Sequence, residues 1–202
     1  MAAPRSPSAP AARARTRGLQ LLAALIALMW LVEAIDLVAG DLDAHGIRPR
    51  DEEGLPGILF APFLHGSFAH LLGNTVALVV LGAVVALGGL RVIALVTLII
   101  ALVAGVGTWA VAPPGTLHIG ASGISFGYIS YLVVRGLYSG SALHLAAGVI
   151  VLALWGGTLM TGLIPSQGIS WQGHLFGALG GILAARLLHV AARSRTPVAR
   201  GL

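Results

Sequence analysis

Long apolar stretches, separated by short polar or glycine- and proline-rich connections, set the pattern of this chain. They run from Gly18 to about Gly40, His65 to Leu87, Arg91 to Pro113, Leu117 to Tyr138, Ala142 to Ile164 and Trp171 to Ala192. Each is close to the roughly 20 residues that an α-helix needs to cross a hydrocarbon core about 30 Å thick. In that medium an open chain satisfies its backbone hydrogen bonds by forming helices, so six membrane-spanning helices are predicted. The breaks carry Gly88-Gly89, Pro113-Pro114-Gly115, Ser139-Gly140-Ser141 and Pro165-Ser166-Gln167-Gly168, all turn chemistry. Asp41 to Phe63 differs: it is a long polar loop holding Asp41, Asp43, Arg48, Arg50, Asp51, Glu52 and Glu53. Residues 1–17, rich in Ala, Pro, Ser and Arg without apolar period, are expected to form a disordered basic tail, and 193–202 a second short one. A secretory signal is the other reading of the start. The first apolar run exceeds the roughly 7 to 15 residues of a signal h-region, so it is retained as a span.

Composition agrees with this pattern. Of 202 residues, 57% are hydrophobic and 9% charged, with a mean hydropathy of +0.92, whereas soluble domains carry roughly 25% charged residues. A soluble globule is excluded, and the spans leave no room for a separate soluble domain. The absence of cysteine excludes disulfides, thiolate zinc sites and cysteine nucleophiles. All 12 basic side chains are arginine. They do not gather on one soluble surface, so no nucleic-acid partner is expected. With the amino terminus inside, Arg5, Arg13, Arg15, Arg17, Arg91, Arg135, Arg186, Arg193, Arg195 and Arg200 all flank the cytoplasmic side, leaving Arg48 and Arg50 outside. Six spans return the carboxyl terminus to the same side.

In that topology His70 and Asn74 in the second span, Ser122 in the fourth and His174 in the sixth lie at similar depth near the outer face. Polar groups at membrane depth are costly and commonly functional. Each has a bland alternative. Ser122 in Gly120-Ala121-Ser122-Gly123 is a weak motif alone, and a membrane serine often bonds a carbonyl one turn back. Asn74, four residues after His70 and so on the same helical face, would also serve as packing glue. His174 alone would suit a structural role. Gly123 and Gly127, with Gly173, Gly177 and Gly181, form small-residue faces that let the fourth and sixth helices approach closely. That approach would bring Ser122 within proton-transfer reach of His174.

These residues resemble the rhomboid intramembrane serine proteases. The resemblance covers residues 18–192 and is strongest in Pro62-Phe63-Leu64-His65-Gly66-Ser67-Phe68-Ala69-His70-Leu71-Leu72-Gly73-Asn74, Gly120-Ala121-Ser122-Gly123 and Gly173-His174-Leu175-Phe176-Gly177. It implies an all-α, six-helix rhomboid-like bundle with both termini inside, in the inner membrane of a bacterium. It implies Ser122 as nucleophile and His174 as general base, with the Ser122 N–H, His70 and Asn74 as the oxyanion hole. Phe126 matches a position often held by a tyrosine whose ring packs on the catalytic histidine; here the hydroxyl is missing. The family's usual Trp-Arg pair in the first outer loop is absent, and Arg48-Pro49-Arg50 is the nearest basic feature. No cofactor or metal is expected. The expected partners are the lipid bilayer and single-span transmembrane substrates.

All seven acidic residues, Glu33, Asp36, Asp41, Asp43, Asp51, Glu52 and Glu53, precede the second span. The sequence therefore favours a Ser-His dyad, with the histidine oriented by packing and backbone, and Glu33 and Asp36 expected in interfacial solvation. Ser166, Gln167 and Gln172 are expected to wet the outer mouth, under a lid formed by the Pro165 to Trp171 loop. A zinc protease would need a ligand set such as H-E-x-x-H, and no histidine here precedes a glutamate. The soluble hydrolase elbow G-x-S-x-G fails at Ile124. A transporter would show an internal repeat or a buried ion pair. The serious alternative is a non-catalytic member of the same fold that binds transmembrane helices.

Overall fold

The computed structural model describes residues 9–193 and is built of helices. Six are long: α1 (Ala9–Ala39), α2 (Phe68–Ala86), α3 (Leu90–Val111), α4 (Ser122–Ser139), α5 (Ala142–Gly162) and α6 (Trp171–Arg193). Five of them, all but α4, are long and apolar enough to cross a membrane. The six-span prediction is thus met for five helices on composition alone. The reason for the exception is position: α4 packs against α2, α3, α5 and α6. Its Ser125, Tyr128 and Tyr131 are buried by protein, so lipid does not select its residues.

Boundaries also shift. α1 begins at Ala9, so residues 9–17 are helical where a disordered tail was expected. Ala and Arg are strong helix formers and extend the apolar helix that follows. Gly18 meets the Ala86 carbonyl, 2.9 Å from where a Cβ would stand, so this extension lies along the turn between α2 and α3. The expectations for residues 1–8, with Arg5, and for 194–202, with Arg195 and Arg200, fall outside the described residues. The second helix begins at Phe68, where the Ser67 hydroxyl accepts from the His70 N–H at 3.2 Å. The fourth begins at Ser122 because Leu117–Ala121 is pulled out of helix. Ile47 and His118 exchange both backbone hydrogen bonds, at 2.9 and 3.0 Å.

The polar loop is built into the bundle. It contains short helical turns at Leu42–His45, Glu52–Gly54, Gly57–Phe60 and Ala61–Phe63. Arg50 donates from Nη2 to the Ala112 carbonyl at 2.8 Å and from its backbone N–H to the Trp109 carbonyl at 3.0 Å. The Trp109 indole donates to the Asp51 carbonyl at 2.9 Å. Arg50 thereby satisfies a carbonyl at the end of α3, where no helical partner remains.

The closest helix approach is between α4 and α6. A Cβ on Gly177 would stand 2.1 Å from the Gly123 carbonyl oxygen, and one on Gly181 2.0 Å from that of Gly127. Ser130 adds a cross-helix hydrogen bond to the Ala178 carbonyl at 2.7 Å. Because the opposing atoms are backbone, a side chain at Gly177 has nowhere to go. Gly177→Val is expected to destabilise the protein by about 1–3 kcal/mol or more through overpacking. Gly157→Ala, where no atom lies within 4 Å of the added carbon, is expected to leave the unfolding midpoint in detergent near wild type; comparison of the two melting curves tests the point.

Candidate active site

Ser122 is the first residue of α4, and its Oγ lies 2.8 Å from His174 Nε2 on α6. The same close approach sets this distance, since Gly123 and Gly173 each adjoin one of the pair and a Cβ on Gly123 would stand 3.0 Å from the Gly173 carbonyl oxygen. The other ring nitrogen settles the proton's location. His174 Nδ1 lies 2.8 Å from the Gly162 carbonyl oxygen, which only accepts, so Nδ1 carries hydrogen. A neutral ring then has its lone pair on Nε2, and the Ser122 hydroxyl donates to it. The Phe126 ring stacks on the imidazole at 4.0 Å and 6°. A Cβ at Gly162 would stand 2.3 Å from Phe126 Cζ and 3.0 Å from His174 Nδ1, so glycine is what lets that carbonyl approach.

His70 and Asn74 gather around Gly120, two residues before the serine. A Cβ there would stand 2.5 Å from His70 Cε1, 2.6 Å from His70 Nε2 and 3.5 Å from Asn74 Nδ2. Gly120 adopts φ 104°, a region that L side chains avoid, and its N–H donates to the Ala61 carbonyl at 2.8 Å. Asn74 is only 5% exposed, yet its Nδ2 has no hydrogen-bond partner. Leaving a buried donor unpaired costs about 1–3 kcal/mol, which marks Asn74 as a donor held open. All four residues singled out by sequence are therefore brought to one place, with Phe126 against them.

An open cleft of about 970 Å3 leads to this place, lined by His70, Ser122, His174 and the Pro165–Gln172 segment. Ser166 and Gln167 line it as expected. Gln172 also lines it but is only 5% exposed, because it sits in the first turn of α6. Glu33 departs from expectation: it is 5% exposed, shielded from solvent on the loop side of α1. The Asp36 carboxylate accepts from the Leu42 N–H at 2.6 Å and so closes the turn after α1. Neither of these two carboxylates makes a hydrogen bond to a histidine.

Sequence reasoning missed Gly162 and a chain of loop groups beside the cleft. Thr116 Oγ1 donates to the Pro113 carbonyl at 2.6 Å and accepts from His118 Nε2 at 2.8 Å. His118 Nδ1 then accepts from the Ser170 hydroxyl at 2.7 Å, while Ser170 Oγ accepts the Gly173 N–H at 3.3 Å. The run ties the loop before α4 to the start of α6 with a neutral imidazole, and burial pushes the His118 pKa down. The available signal was His118 standing two residues before Gly120. No pattern identified a carbonyl forty residues downstream of Ser122 as the partner of His174.

The model for the rhomboid domain matches residues 52–191. The chain belongs to the rhomboid family. Uncharacterized proteins of Mycobacterium tuberculosis and Mycobacterium leprae are each 42% identical to it, over 185 and 178 residues. These alignments cover 87% of this chain and 77% of the first relative, and 83% and 70% for the second. A Bacillus subtilis protein named as a candidate rhomboid protease is 28% identical over 126 residues, 61% of this chain and 62% of its own length. Rhomboid proteins are multi-pass membrane proteins and in general serine intramembrane proteases or their inactive relatives, which accords with the five apolar helices.

His65, on the loop side of this rhomboid site, gives a measurable pH effect. It is 1% exposed, neither ring nitrogen has a partner, and its ring meets His70 edge-on at 5.0 Å. Burial, with a smaller contribution from His70, pushes its pKa down to about 4 from 6.5. The folded state thus holds His65 neutral while the unfolded chain takes up a proton below 6.5. Its contribution to stability is complete above pH 6.5 and is lost as pH falls towards 4. Thermal melts across this window are expected to show a falling midpoint, with a shallower fall in His65→Leu.

Proposed function

We propose that this protein is an intramembrane serine endopeptidase that hydrolyses peptide bonds in or near the outer membrane segment of single-span transmembrane proteins. The observation that carries the reading is the 2.8 Å contact of Ser122 Oγ with His174 Nε2, with Nδ1 fixed as donor to Gly162. Ser122 attacks the scissile carbonyl as its proton passes to Nε2. The resulting imidazolium keeps its Nδ1–H on the Gly162 carbonyl and returns the other proton to the leaving amine. Water then repeats the sequence on the acyl-enzyme.

Charge on the tetrahedral oxygen is taken by the Ser122 N–H, the His70 side chain and Asn74 Nδ2. The Ser122 N–H is one of the donors that a helix start leaves free. The cleft supplies the polar space that water needs, and Pro165–Trp171 acts as its lid. A small pocket of about 40 Å3 behind Ser122 offers further water-sized room. The substrate bond has to leave its helix to reach Ser122, which favours small residues at the cut and helix-weakening residues beyond it.

α4 is the fourth of six spans, carried by the protein around it, and both termini face the cytoplasm of a bacterium whose inner membrane holds the chain. The described flanking arginines, near the start of α1, in the first turn of α3, near the end of α4 and towards the end of α6, then all lie inside.

A serine-directed fluorophosphonate probe is expected to label the wild type in detergent and to leave Ser122→Ala unlabelled. Ser122→Ala and His174→Ala are expected to bring cleavage of a model transmembrane substrate to background. Asn74→Ala should lower it about a hundred- to a thousandfold. Wild-type turnover in all three variants would overturn the reading. Binding of the substrate helix with neither labelling nor cleavage in any form would assign the fold to the non-catalytic alternative.

A further inference from the structure

At the far end of the bundle, roughly 20 Å from Ser122 along α4, the ends of α3, α4, α5 and α6 line an open cavity of about 750 Å3. Its polar lining includes Arg91, Arg135, Tyr131, Tyr138, His144 and His189, and apolar side chains of α3 and α6 line it as well. Arg135 stands over the Tyr131 ring at 5.9 Å, and Tyr138 stacks on His189 at 5.3 Å. His144 Nδ1 is buried without a hydrogen-bond partner. Arg91 also lines a neighbouring cleft of about 510 Å3, where Arg13 and Arg17 of α1 face it.

No side-chain carboxylate serves this end. Nothing acidic follows Glu53 in sequence, and the residues from Glu33 to Glu53 lie at the Ser122 end. The salt bridges among the described residues are confined to Arg48. Guanidinium groups at the edge of hydrocarbon need a counter-charge, and their planar fork matches phosphate oxygens. We propose that this cavity binds the phosphate of an anionic phospholipid headgroup, held by Arg91 and Arg135 with the tyrosine and histidine groups as neutral donors. A basic end continuous with an apolar wall is the chemistry of a lipid rather than of a free ion. The site stands independently of the protease reading.

The test uses the full-length protein, stripped of lipid in a non-ionic detergent and given phosphatidylglycerol, phosphatidylcholine or inorganic phosphate. Native mass spectrometry reads bound lipid and thermal melting reads the stabilisation. Phosphatidylglycerol is expected to be retained at one molecule per chain and to raise the midpoint, with neither effect from phosphatidylcholine. Arg91→Gln/Arg135→Gln is expected to weaken retention about thirtyfold, while Arg91→Lys/Arg135→Lys keeps most of it. A lipid-free midpoint matching wild type shows that the glutamine variant is folded; if it is not, the single variants Arg91→Gln and Arg135→Gln decide, each expected to weaken retention about fivefold, and undiminished retention in both overturns the proposal. Equal retention of both lipids, or undiminished phosphatidylglycerol binding in the folded glutamine variant, overturns the proposal. Equal stabilisation by inorganic phosphate, with displacement of the lipid, assigns the site to a free anion and overturns it as well.

Discussion

The contact of two glycine-lined backbones, α4 against α6, is what the rest of the molecule depends on. Where Gly177 meets the Gly123 carbonyl and Gly181 meets that of Gly127, there is no space even for a methyl group. In lipid no hydrophobic effect drives helices together, so close backbone packing and interhelical hydrogen bonds such as Ser130 to Ala178 have to hold the pair. The same closeness sets the distance between Ser122 and His174. Packing and chemistry are therefore one constraint, and a change that loosens the first disturbs the second.

A second constraint is the scarcity of charge. With no carboxylate beyond Glu53, the imidazole of His174 is oriented by the Gly162 carbonyl and the Phe126 face. A carbonyl offers a partial charge where an aspartate offers a full one, and it needs far less solvation at membrane depth. The neighbouring histidines follow the same rule. His118 is satisfied as a neutral ring by Thr116 and Ser170, and His65 is buried neutral. Polar chemistry is accommodated here by keeping imidazoles neutral instead of by pairing ions.

Much of the bundle was legible because lipid imposes a length and a polarity on every helix that faces it. α1, α2, α3, α5 and α6 announce themselves as apolar runs, and the glycine spacings on α4 and α6 gave their mutual face. α4 was read as a span beginning five residues too early, since Leu117, Ile119 and Ala121 extend the apolar run while the segment is held extended by Ile47. Its composition reflects protein neighbours, which a hydropathy pattern does not see. The candidate site was legible as residue types at matched depth, with Ser122, His174, His70 and Asn74 meeting as expected. Gly162 was not, because a backbone acceptor leaves no residue type to find, nor was the Thr116-His118-Ser170 run, because Ser170 stands 52 residues from His118 in sequence. The burial of Glu33 was missed because a carboxylate near a helix end looks solvated until the loop that covers it is in place.

The acceptor for His174 sits on the least embedded of the long helices. Among the long helices α5 packs chiefly on α4 and meets α6 through Gly162, and its buried residues are Gly148, Val151 and Gly162. Most of its surface is left to lipid, so lateral pressure and bilayer thickness act directly on its tilt. A sideways displacement at its last turn would withdraw the Gly162 oxygen from Nδ1, so the orientation of the His174 ring rests on a helix that leaves most of its surface to lipid.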